Sequence, residues 1–497
     1  VFYYHHTQAM KRVTIHILSF VVAAASILRA DESYRVEQVE VPQGVIMEVS
    51  GMDYSVDGVL YLATRRGDIW TEKDGAWRRF AHGLHEPMGL CIGDKGEVFV
   101  SQRPEITQLI DEDGDGVADL HRTITDEFSM EPNFHQYTYG LVQDGAGNLW
   151  GTLSGSGKTN PDGRPASADA FSSEPYRMWS YKVSPEGEFV PWSSGLRTAN
   201  GIGVNLEGDL FAADNQGDWV GSSMLHHLEQ GDFHGHPDAL RWDPRFKDKG
   251  DPTKVPIDEL DQLRKMPAVF LPHGELSNSP GAPLCDTTGG EFGPFAGQLF
   301  IGDVVHATLM RVALEKVNGQ YQGACFPFIK GAAKGEPLKA GICRLAFAPD
   351  HSLMIGRVGE GNWNRGLPGS GLQRVVYTGV LPFEIHRIEL QQDGFKLHFT
   401  KPLNPAHKLS PEQFALSSYH YAYTPQYGSP KIDHKDVPVT AVEISADGNT
   451  AKLRVPGLEK RKIYQFHLMG INYASGKALR NKRAYYKLNE MIRLPGD

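Results

Sequence analysis

The sequence predicts an all-β protein, in which a six-bladed β-propeller is followed by a C-terminal immunoglobulin-like β-sandwich. The first observation is a unit of one tight turn and one apolar strand that occurs six times along the chain. The second is a further β-segment after each copy, and the third is a change of pattern near Val380. The 54 glycines and 31 prolines suit a chain with many turns between short strands.

Each copy of the unit has a turn that needs Gly, Asp or Asn, followed by apolar residues typical of a buried strand. The copies are residues 56–62, 93–100, 144–150, 206–211, 294–301 and 348–355, and the following β-segments are 68–70, 106–110, 178–183, 224–227, 309–312 and 372–376. Six repeats of this kind are typical of propeller blades. A large β-sandwich is the alternative, but it does not explain why the same turn occurs six times. We therefore assign residues 31–380 to the propeller.

The pattern changes after a linker, residues 378–382, that contains Gly and Pro. Alternating strands joined by short turns follow, for example 383–400 and 439–455, as in an immunoglobulin-like sandwich. We assign residues 381–497 to this second domain and expect it to be separable from the propeller. Its aromatic cluster could be a sugar-stacking platform or ordinary strand-face packing; the cluster consists of Tyr419, His420, Tyr421, Tyr423 and Tyr427.

The composition indicates a globular protein and argues against one class of partner. Of the 497 residues, 40% are hydrophobic and 22% are charged, which excludes a disordered chain. The net charge is −10, and no long run of basic residues interrupts it. Because a surface that binds phosphate backbones needs clustered Lys and Arg, we expect no nucleic-acid partner.

The N-terminus resembles an export signal. Lys11 and Arg12 precede an apolar run over residues 13–28, and small residues follow before Asp31. We interpret residues 1–30 as a signal peptide, of which 1–9 are an upstream-start artefact, with cleavage between Ser26 and Asp31. An uncleaved anchor is the alternative, although the run is short for a membrane span. The expected location is therefore outside the cytoplasm, periplasmic or extracellular.

The four cysteines leave two interpretations open. Export would permit disulfides, and Cys325 with Cys343 is the pair closest in sequence, but buried free thiols fit equally well. The sequence has no C-x-x-C-H motif, so we expect no covalently bound c-type haem on this chain.

Residues 111–119, DEDGDGVAD, form the sharpest local motif. Carboxylates at the first, third, fifth and ninth positions, with glycines that let the chain wrap, can surround Ca²⁺ with oxygen ligands. The predicted ligands are Asp111, Asp113, Asp115 and Asp119. Arg122 stands where an EF-hand loop has a bidentate Glu, so the motif is not an EF-hand, and an acidic turn is the alternative. A bound calcium would brace the loop.

Polar residues gather at the predicted ends of the apolar strands, where a propeller brings side chains from all blades to one end of its central channel. A neutral His there is a suitable base near pH 7, and Arg can hold an anionic cofactor or substrate. The candidates are Arg65, Arg66, Gln102, Arg103, His135, Gln136, Tyr137, Tyr139, Arg197, Asn200, Asp214, Asn215, Gln216, Asp218, Trp219, Asp286, Thr287, Thr288, Asp303, His306, Arg357, Glu360 and Asn362.

Three segments, residues 195–201, 214–219 and 231–237, resemble the soluble quinoprotein glucose/sorbosone dehydrogenases. In that family an Arg before a blade strand contacts pyrroloquinoline quinone (PQQ), and a Gly-x-x-x-Gly-x-Pro turn closes the following blade. The dipeptide 135–136 is similar to the family's His-Gln base motif. The resemblance implies catalytic roles for His135, Arg197 and Asp218. It implies cofactor contacts by Arg197, Asn200, Asn215, Gln216, Trp219 and Arg357.

The chain resembles still more closely the propeller part of the membrane-bound dehydrogenase-type proteins of planctomycetes and verrucomicrobia. Those proteins often add a cytochrome c domain. Because the sequence here stops after the sandwich, we expect the electron acceptor to be a separate protein. Two functions remain open. One is oxidation of a carbohydrate or other alcohol with a quinone cofactor. The other is a non-oxidative propeller, either a carbohydrate-binding or scaffold module or a metal-dependent lyase or lactonase.

Overall fold

The computed structural model describes residues 32–130, 136–155, 174–331, 337–359, 370–406 and 408–493, together with the backbone of residues 28–29. Most of the predicted signal peptide therefore lies outside the described residues. Within these ranges we find no helix with the length and apolar character needed to cross a membrane.

The first four blades are antiparallel sheets of four strands in sequence order. Blade 1 contains β3 (Val49–Tyr54), β4 (Leu60–Thr64), β5 (Ile69–Lys73) and β6 (Ala76–Ala81), and blade 2 contains β7 (Gly89–Ile92), β8 (Val98–Ser101), β9 (Ile106–Ile110) and β10 (Leu120–Thr125). Blade 3 contains β11 (Thr138–Gln143), β12 (Leu149–Leu153), β13 (Trp179–Val183) and β14 (Phe189–Ser194), and blade 4 contains β15 (Ala199–Val204), β16 (Leu210–Asp214), β17 (Ser223–His227) and β18 (Val269–Leu271).

The last two blades complete the ring, which confirms the predicted propeller. Blade 5 contains β19 (Pro280–Cys285), β20 (Leu299–Asp303), β21 (Leu309–Val317) and β22 (Gln320–Ile329). Blade 6 contains β23 (Ile342–Phe347), β24 (Leu353–Arg357) and β25 (Gly371–Tyr377), and the N-terminal strand β2 (Tyr34–Val39) pairs with β25, with the short β1 (Leu28–Arg29) at its outer edge. Cleavage at the predicted signal site would leave this closing strand β2 in place.

The first strand of each blade is here called the inner strand, and a glycine on this strand in blades 1 to 5 determines how closely the blades approach. A Cβ at Gly89 would lie 1.4 Å from the carbonyl oxygen of Gly140, and one at Gly201 would lie 2.5 Å from the Cβ of Ala282. Such contacts exclude any side chain. The equivalent inner-strand glycines of blades 1, 2, 3, 4 and 5 are Gly51, Gly89, Gly140, Gly201 and Gly281.

Blade 4 carries a long insertion between β17 and β18. It contains three 3₁₀ turns, Pro237–Trp242, Pro244–Phe246 and Pro252–Lys254, and the single described α-helix, α1 (Ile257–Leu263). Its apolar residues form a small core with Trp219 and with Tyr423 of the C-terminal domain.

The C-terminal domain is a two-sheet sandwich, and one of its sheets continues blade 5. One sheet contains β26 (Ile385–Gln391), β27 (Gly394–Phe399), β31 (Thr450–Arg454) and β30 (Ala441–Ile444); the other contains β28 (Phe414–Tyr421), β29 (Lys431–Asp436), β32 (Ile463–Leu468) and β33 (Arg483–Lys487), with a 3₁₀ turn at Pro411–Gln413. β22 pairs with β33, so blade 5 and this second sheet form one sheet of eight strands. The sandwich therefore covers the edge that blade 5 would otherwise expose.

Side-chain packing at this boundary is as continuous as the backbone pairing. Ala313, Ala324 and Phe326 of blade 5 belong to the same apolar cluster as the core of the sandwich. Beside them, the fully buried Glu384 receives hydrogen bonds from Arg480 at 3.2 Å and from Asn481 at 2.9 Å. The linker at residues 378–382 thus separates the propeller from the sandwich along the sequence, but the cores of the two domains pack against each other.

All four cysteines are buried free thiols. Cys343 lies on the inner strand of blade 6, and Cys325 lies on the outer strand of blade 5, where its thiol donates to the carbonyl oxygen of Phe270 at 3.1 Å. Of the two interpretations that the sequence left open, the structure has the free thiols. Burial raises the pKa of the Cys325 thiol, which keeps it protonated and unreactive.

Candidate functional site

In every blade the start of the inner strand pairs with the end of the second strand, and these ends together form what we call the mouth of the channel. The six pairs are Val49 with Thr64, Gly89 with Ser101, Thr138 with Leu153, Ala199 with Asp214, Pro280 with Asp303, and Ile342 with Arg357. Three of the six second strands end in a charged residue. The second strands of blades 4, 5 and 6 therefore end in charged side chains at this ring.

Two of these charged residues are carboxylates that fix the loops of the mouth. Buried Asp214 accepts hydrogen bonds from the amides of Arg197, Thr198 and Asn215 at 2.7–2.8 Å. Burial raises its pKa although these amides favour the charged form. Asp303 does the same in blade 5, where it accepts from the amides of residues 278, 279, 305 and 306 and from the Ser277 hydroxyl. These two carboxylates organise the mouth and leave little capacity for a ligand.

Arg197, Asp218 and His236 form a buried chain of polar contacts at the edge of the mouth. The Arg197 Nε donates to Asp218 Oδ1 at 3.0 Å, and His236 Nε2 lies 2.9 Å from Asp218 Oδ2. Burial opposes the charge of Asp218, but its bonds with His236 and Arg197 hold the pKa of this carboxyl below its usual range. Both carboxylate oxygens are occupied, so Asp218 is a partner that orients Arg197 and His236 rather than a free base.

Arg344 closes the channel below the mouth. It occupies, on the inner strand of blade 6, the position that is glycine in the other five blades. Its guanidinium donates to the carbonyl oxygens of Ser50 at 2.8 Å and Met88 at 2.6 Å, and to those of Asn200 and Cys343 at 2.9 Å. The five glycines leave open space along the channel axis, and Arg344 fills it. Its hydrogen bonds connect blades 1, 2, 4 and 6.

A cavity of about 320 Å³ lies in the channel on the side of Arg344 away from Arg197. All six inner strands line it, mainly through backbone and apolar side chains such as Leu90, Leu141, Ile202 and Leu345. With few polar groups facing it, this section suits packing and ordered water better than chemistry. Arg344 therefore separates the mouth from this section of the channel, so that the mouth is a concave site closed at its base.

Arg357 is a charged group of the mouth that has no counter-ion among the described residues. It is 6% exposed, and burial lowers its pKa to about 10, which still leaves it charged at neutral pH. Its guanidinium donates to the carbonyl oxygen of Ser370, its Nε has no hydrogen-bond partner, and no carboxylate of the described chain pairs with it. A buried cation without a partner is costly, and an anionic ligand would remove that cost.

The sandwich contributes to the edge of the mouth. Its β28–β29 connection docks on the loop after β16: the Gly428 amide donates to the Gly217 carbonyl at 2.8 Å, and Ser429 donates to Gly221 at 2.9 Å. Tyr427, 55% exposed, lies with its ring 5.2 Å from the Arg197 guanidinium. Of the predicted aromatic cluster, Tyr427 is thus the member beside the mouth, and it was missed as a site residue by sequence analysis.

The other predicted cofactor contacts fall into two groups. Asn200, below the mouth, accepts from Arg344 at 3.2 Å, and Asn215 accepts from Ser279 of blade 5 at 3.3 Å. Gln216 donates to Gly221 at 3.2 Å and lies against Gly428. Trp219, by contrast, is 4% exposed, and its ring packs against that of Tyr423 at an angle of 52° inside the small core of the blade 4 insertion. Its ring packs there and is not open to a ligand.

Blades 1 to 3 carry a second group of predicted residues around two glutamates. Arg65 and Arg66 both pair with buried Glu48, at 3.0 and 2.7 Å, and Arg65 also pairs with Glu86 at 3.1 Å. Arg103 pairs with Glu86 at 3.3 Å and stacks over the Tyr137 ring at 4.4 Å. Each arginine on this side of the mouth thus has a carboxylate partner, unlike Arg357 among the described residues.

Two sets of predicted residues are not at the described mouth. Asp286, Thr287 and Thr288 follow β19 instead of preceding it, so they lie at the opposite end of the channel, and their prediction as mouth residues is wrong. His135, Glu360 and Asn362 lie outside the described residues. Gln136, next to His135, is fully buried, and Tyr139 lies 3% exposed on the inner strand.

The acidic motif forms the loop between β9 and β10, at the opposite end of the channel from the mouth. Carboxylate oxygens of Asp111, Asp113 and Asp115 lie within 4.8 Å of one another, a spacing that one Ca²⁺ can bridge. Asp119 lies outside this group, and its Oδ2 accepts from the Glu112 amide at 2.8 Å. The loop contacts blade 1, where the Ala118 amide donates to the Phe80 carbonyl at 2.8 Å. A bound ion here would brace two blades.

Calcium removal tests this loop. If the three carboxylates hold Ca²⁺, a chelator should lower the melting temperature of the wild type by several degrees, because saturation at about a hundredfold over Kd is worth about 2.7 kcal/mol. Asp113→Ala should melt lower and lose its response to the chelator. Asp94→Ala, an exposed acid in another turn of the same blade, should respond as the wild type does. An equal response of Asp113→Ala and the wild type would exclude the loop as a calcium site.

The fold and mouth together define a six-bladed propeller with a closed channel, a charged bowl at one end and a C-terminal sandwich fused to blade 5. The chain belongs to the family described as domain of unknown function DUF7133, whose model matches residues 34–324. None of the functionally curated proteins matches this chain.

Solved structures with a similar fold include one sugar dehydrogenase in its PQQ-bound form, the PQQ domain of another, and a family AA12 enzyme. The PQQ-bound aldose sugar dehydrogenase of Streptomyces coelicolor is 15% identical, with a TM-score of 0.45, and the match covers 70% of this chain and 99% of that one. The PQQ domain of pyranose dehydrogenase from Coprinopsis cinerea is 10% identical, with a TM-score of 0.49, covering 71% and 97%. A calcium structure of a Trichoderma reesei family AA12 enzyme is 12% identical, with a TM-score of 0.49, covering 71% and 98%.

Proposed function

We propose that this protein is an exported dehydrogenase that oxidises a sugar or another alcohol with PQQ held in the mouth. The observation that carries the proposal is Arg357, a buried arginine whose Nε has no partner and which no carboxylate of the described residues neutralises. PQQ carries several carboxylates, and guanidinium groups bind carboxylates through paired, charge-assisted hydrogen bonds. The resemblance of residues 195–237 to quinoprotein dehydrogenases agrees with this ligand.

The residues at the mouth fit such an anion. Arg357 would hold a carboxylate directly. Arg197, whose charge Asp218 already compensates, would act through directional N–H donors and not through net charge. Asn215 and Gln216 offer amide groups on the same edge, and Tyr427 offers an exposed ring beside Arg197. Arg344 and Asn200 form the floor that keeps a ligand out of the channel.

The reaction needs a hydride acceptor and a base. When bound, PQQ would supply the acceptor for the hydride that leaves the carbon bearing the hydroxyl group. His135, which lies outside the described residues, remains the predicted base that takes the hydroxyl proton, so that the alcohol loses a hydride and a proton and becomes a carbonyl compound. Asp218, held ionised, would keep Arg197 in place throughout this step. The electrons would then pass to a separate acceptor, for which a cytochrome c is our proposal.

Reconstitution tests the function. Purified protein loaded with PQQ and Ca²⁺ should reduce a redox dye when aldoses or other alcohols are added. His135→Ala should lower kcat by about a hundredfold or more with little change in cofactor affinity, because a general base acts in the transition state. Arg79→Met, an exposed arginine on blade 1, is the matched control and should retain full activity.

Three results would contradict the proposal or a part of it. Loaded wild type that oxidises none of a broad panel of sugars and alcohols would exclude this dehydrogenase activity. Equal turnover in His135→Ala and the wild type would remove His135 as the base. If the protein binds no quinone at all, the non-oxidative binding module or lyase that the sequence left open takes the place of the dehydrogenase.

A further inference from the structure

A second cavity, of about 350 Å³, lies between the blade 4 insertion and the sandwich. The insertion supplies α1 and Arg264, blade 4 supplies Phe270, and the sandwich supplies residues 420–423, 460–462 and Lys487. This volume is that of a small-molecule site. The cavity is separate from both the mouth and the central channel.

The walls of this cavity are strongly basic. They contain five basic side chains, Arg264, Lys460, Arg461, Lys462 and Lys487, against the two carboxylates of Asp258 and Asp261. Four of the cations have acidic partners: Asp261 pairs with Arg264 at 2.5 Å and with Arg461 at 2.8 Å, Asp433 pairs with Lys462 at 3.3 Å, and Glu490 pairs with Lys460 at 2.8 Å. Asp258 is exposed on α1.

Lys487 is the exception. It lies on β33, is 1% exposed, and makes no side-chain hydrogen bond or ion pair anywhere in the described chain. Its ammonium group lies 5.6 Å from the centre of the Phe270 ring, another residue of the cavity wall. Burial lowers its pKa well below the usual value, and the neighbouring Arg264, Arg461 and Lys462 lower it further. Converging cations around a buried, unpaired amine are an arrangement that an anion would stabilise.

We propose that this cavity binds a small tetrahedral oxyanion, sulfate or phosphate, either free or as the ester group of a small molecule such as a sugar. Lys487 would donate to the anion at the closed end, while Arg461 and Lys462, already oriented by their carboxylate partners, would donate from the open side. The cavity has room for a monosaccharide ester as well as for the free ion.

Titration calorimetry tests the proposal on the full-length protein. Inorganic sulfate and inorganic phosphate are titrated at constant ionic strength maintained with chloride, and a sulfated monosaccharide forms a third arm. We expect saturable binding of at least one oxyanion to the wild type. Tighter binding of the sugar ester than of sulfate would assign the site to esters, and equal binding would assign it to the free ion.

Two variants and a control make the test specific. Lys487→Met should weaken oxyanion binding by about tenfold or more while leaving the fold intact, because methionine fills a similar volume without a buried polar group. Arg461→Gln, at a side chain that is 48% exposed, should weaken it several-fold without a folding effect. Lys435→Met, an exposed lysine elsewhere on the sandwich, should bind as the wild type does. No saturable binding, or equal affinity in the wild type and both variants, would overturn the proposal. Neither outcome depends on quinone binding at the mouth.

Discussion

Arg344→Met should lower the free energy of unfolding by about 3–5 kcal/mol, the cost of breaking a buried charged hydrogen-bond network. The guanidinium satisfies the carbonyl oxygens of four blades at once, in the channel where the inner-strand glycines leave no side chains to replace it. Methionine would fill part of the volume but leave those carbonyls without donors. Thermal melting and denaturant unfolding, read on the same samples, measure the effect.

The same experiment separates this role from a general effect of losing an arginine. Arg79→Met, at an exposed position with a carboxylate 3.9 Å away, should change the unfolding free energy by less than about 1 kcal/mol. If Arg344→Met were as stable as Arg79→Met, the arginine would not hold the blades together. The channel floor described above would then be incidental to stability.

A chain truncated after Gly379 should aggregate or melt far below the full-length protein. Truncation would remove β33 and so leave the backbone of β22 at an open sheet edge. It would also expose Ala313, Ala324 and Phe326, which the sandwich core covers. This expectation differs from the separable domain that the sequence suggests, because a linker in the chain does not reveal a shared sheet. Size-exclusion chromatography and thermal melting of the truncated chain measure the effect.

A variant of the truncated chain provides the matched comparison. Phe326→Lys within the truncated chain should recover part of the lost solubility, because it breaks the exposed apolar patch and places a charge at the open edge. A truncated chain that stays monodisperse and melts near the full-length temperature would show that the sandwich is dispensable for the propeller.

The sequence predicts the blades well because the repeated feature is local. Each blade needs a tight turn followed by a buried strand, and the residues that make a turn are readable one unit at a time. Placing the six inner strands in register would also have revealed Arg344, the one residue that breaks a column of five glycines. That signal is present in the sequence, but it is visible only after the repeats are aligned.

Other features could not be read in this way, because they depend on contacts between distant segments. Trp219 follows a strand that ends at the mouth, as a ligand-stacking residue would, yet Tyr423, two hundred residues later, buries its ring. Tyr427 lies beside Arg197 because the sandwich continues blade 5. The prediction for Asp286 to Thr288 fails because the inner strand of blade 5, with prolines at 280 and 283, lacks the sequence pattern of a strand.

The most direct test of the proposed function is equilibrium binding of PQQ to the wild type and to Arg357→Met, in the presence of Ca²⁺, followed by the absorbance of the bound cofactor. We expect the wild type to bind PQQ saturably. Arg357→Met should bind it at least about tenfold more weakly, the loss expected for one charge-assisted pair. It should melt no lower than the wild type, because the substitution removes a buried charge that no carboxylate of the described residues neutralises. Wild-type protein that binds no PQQ, or an Arg357→Met variant that binds it equally well, would contradict the proposal that this arginine holds a quinone in the mouth.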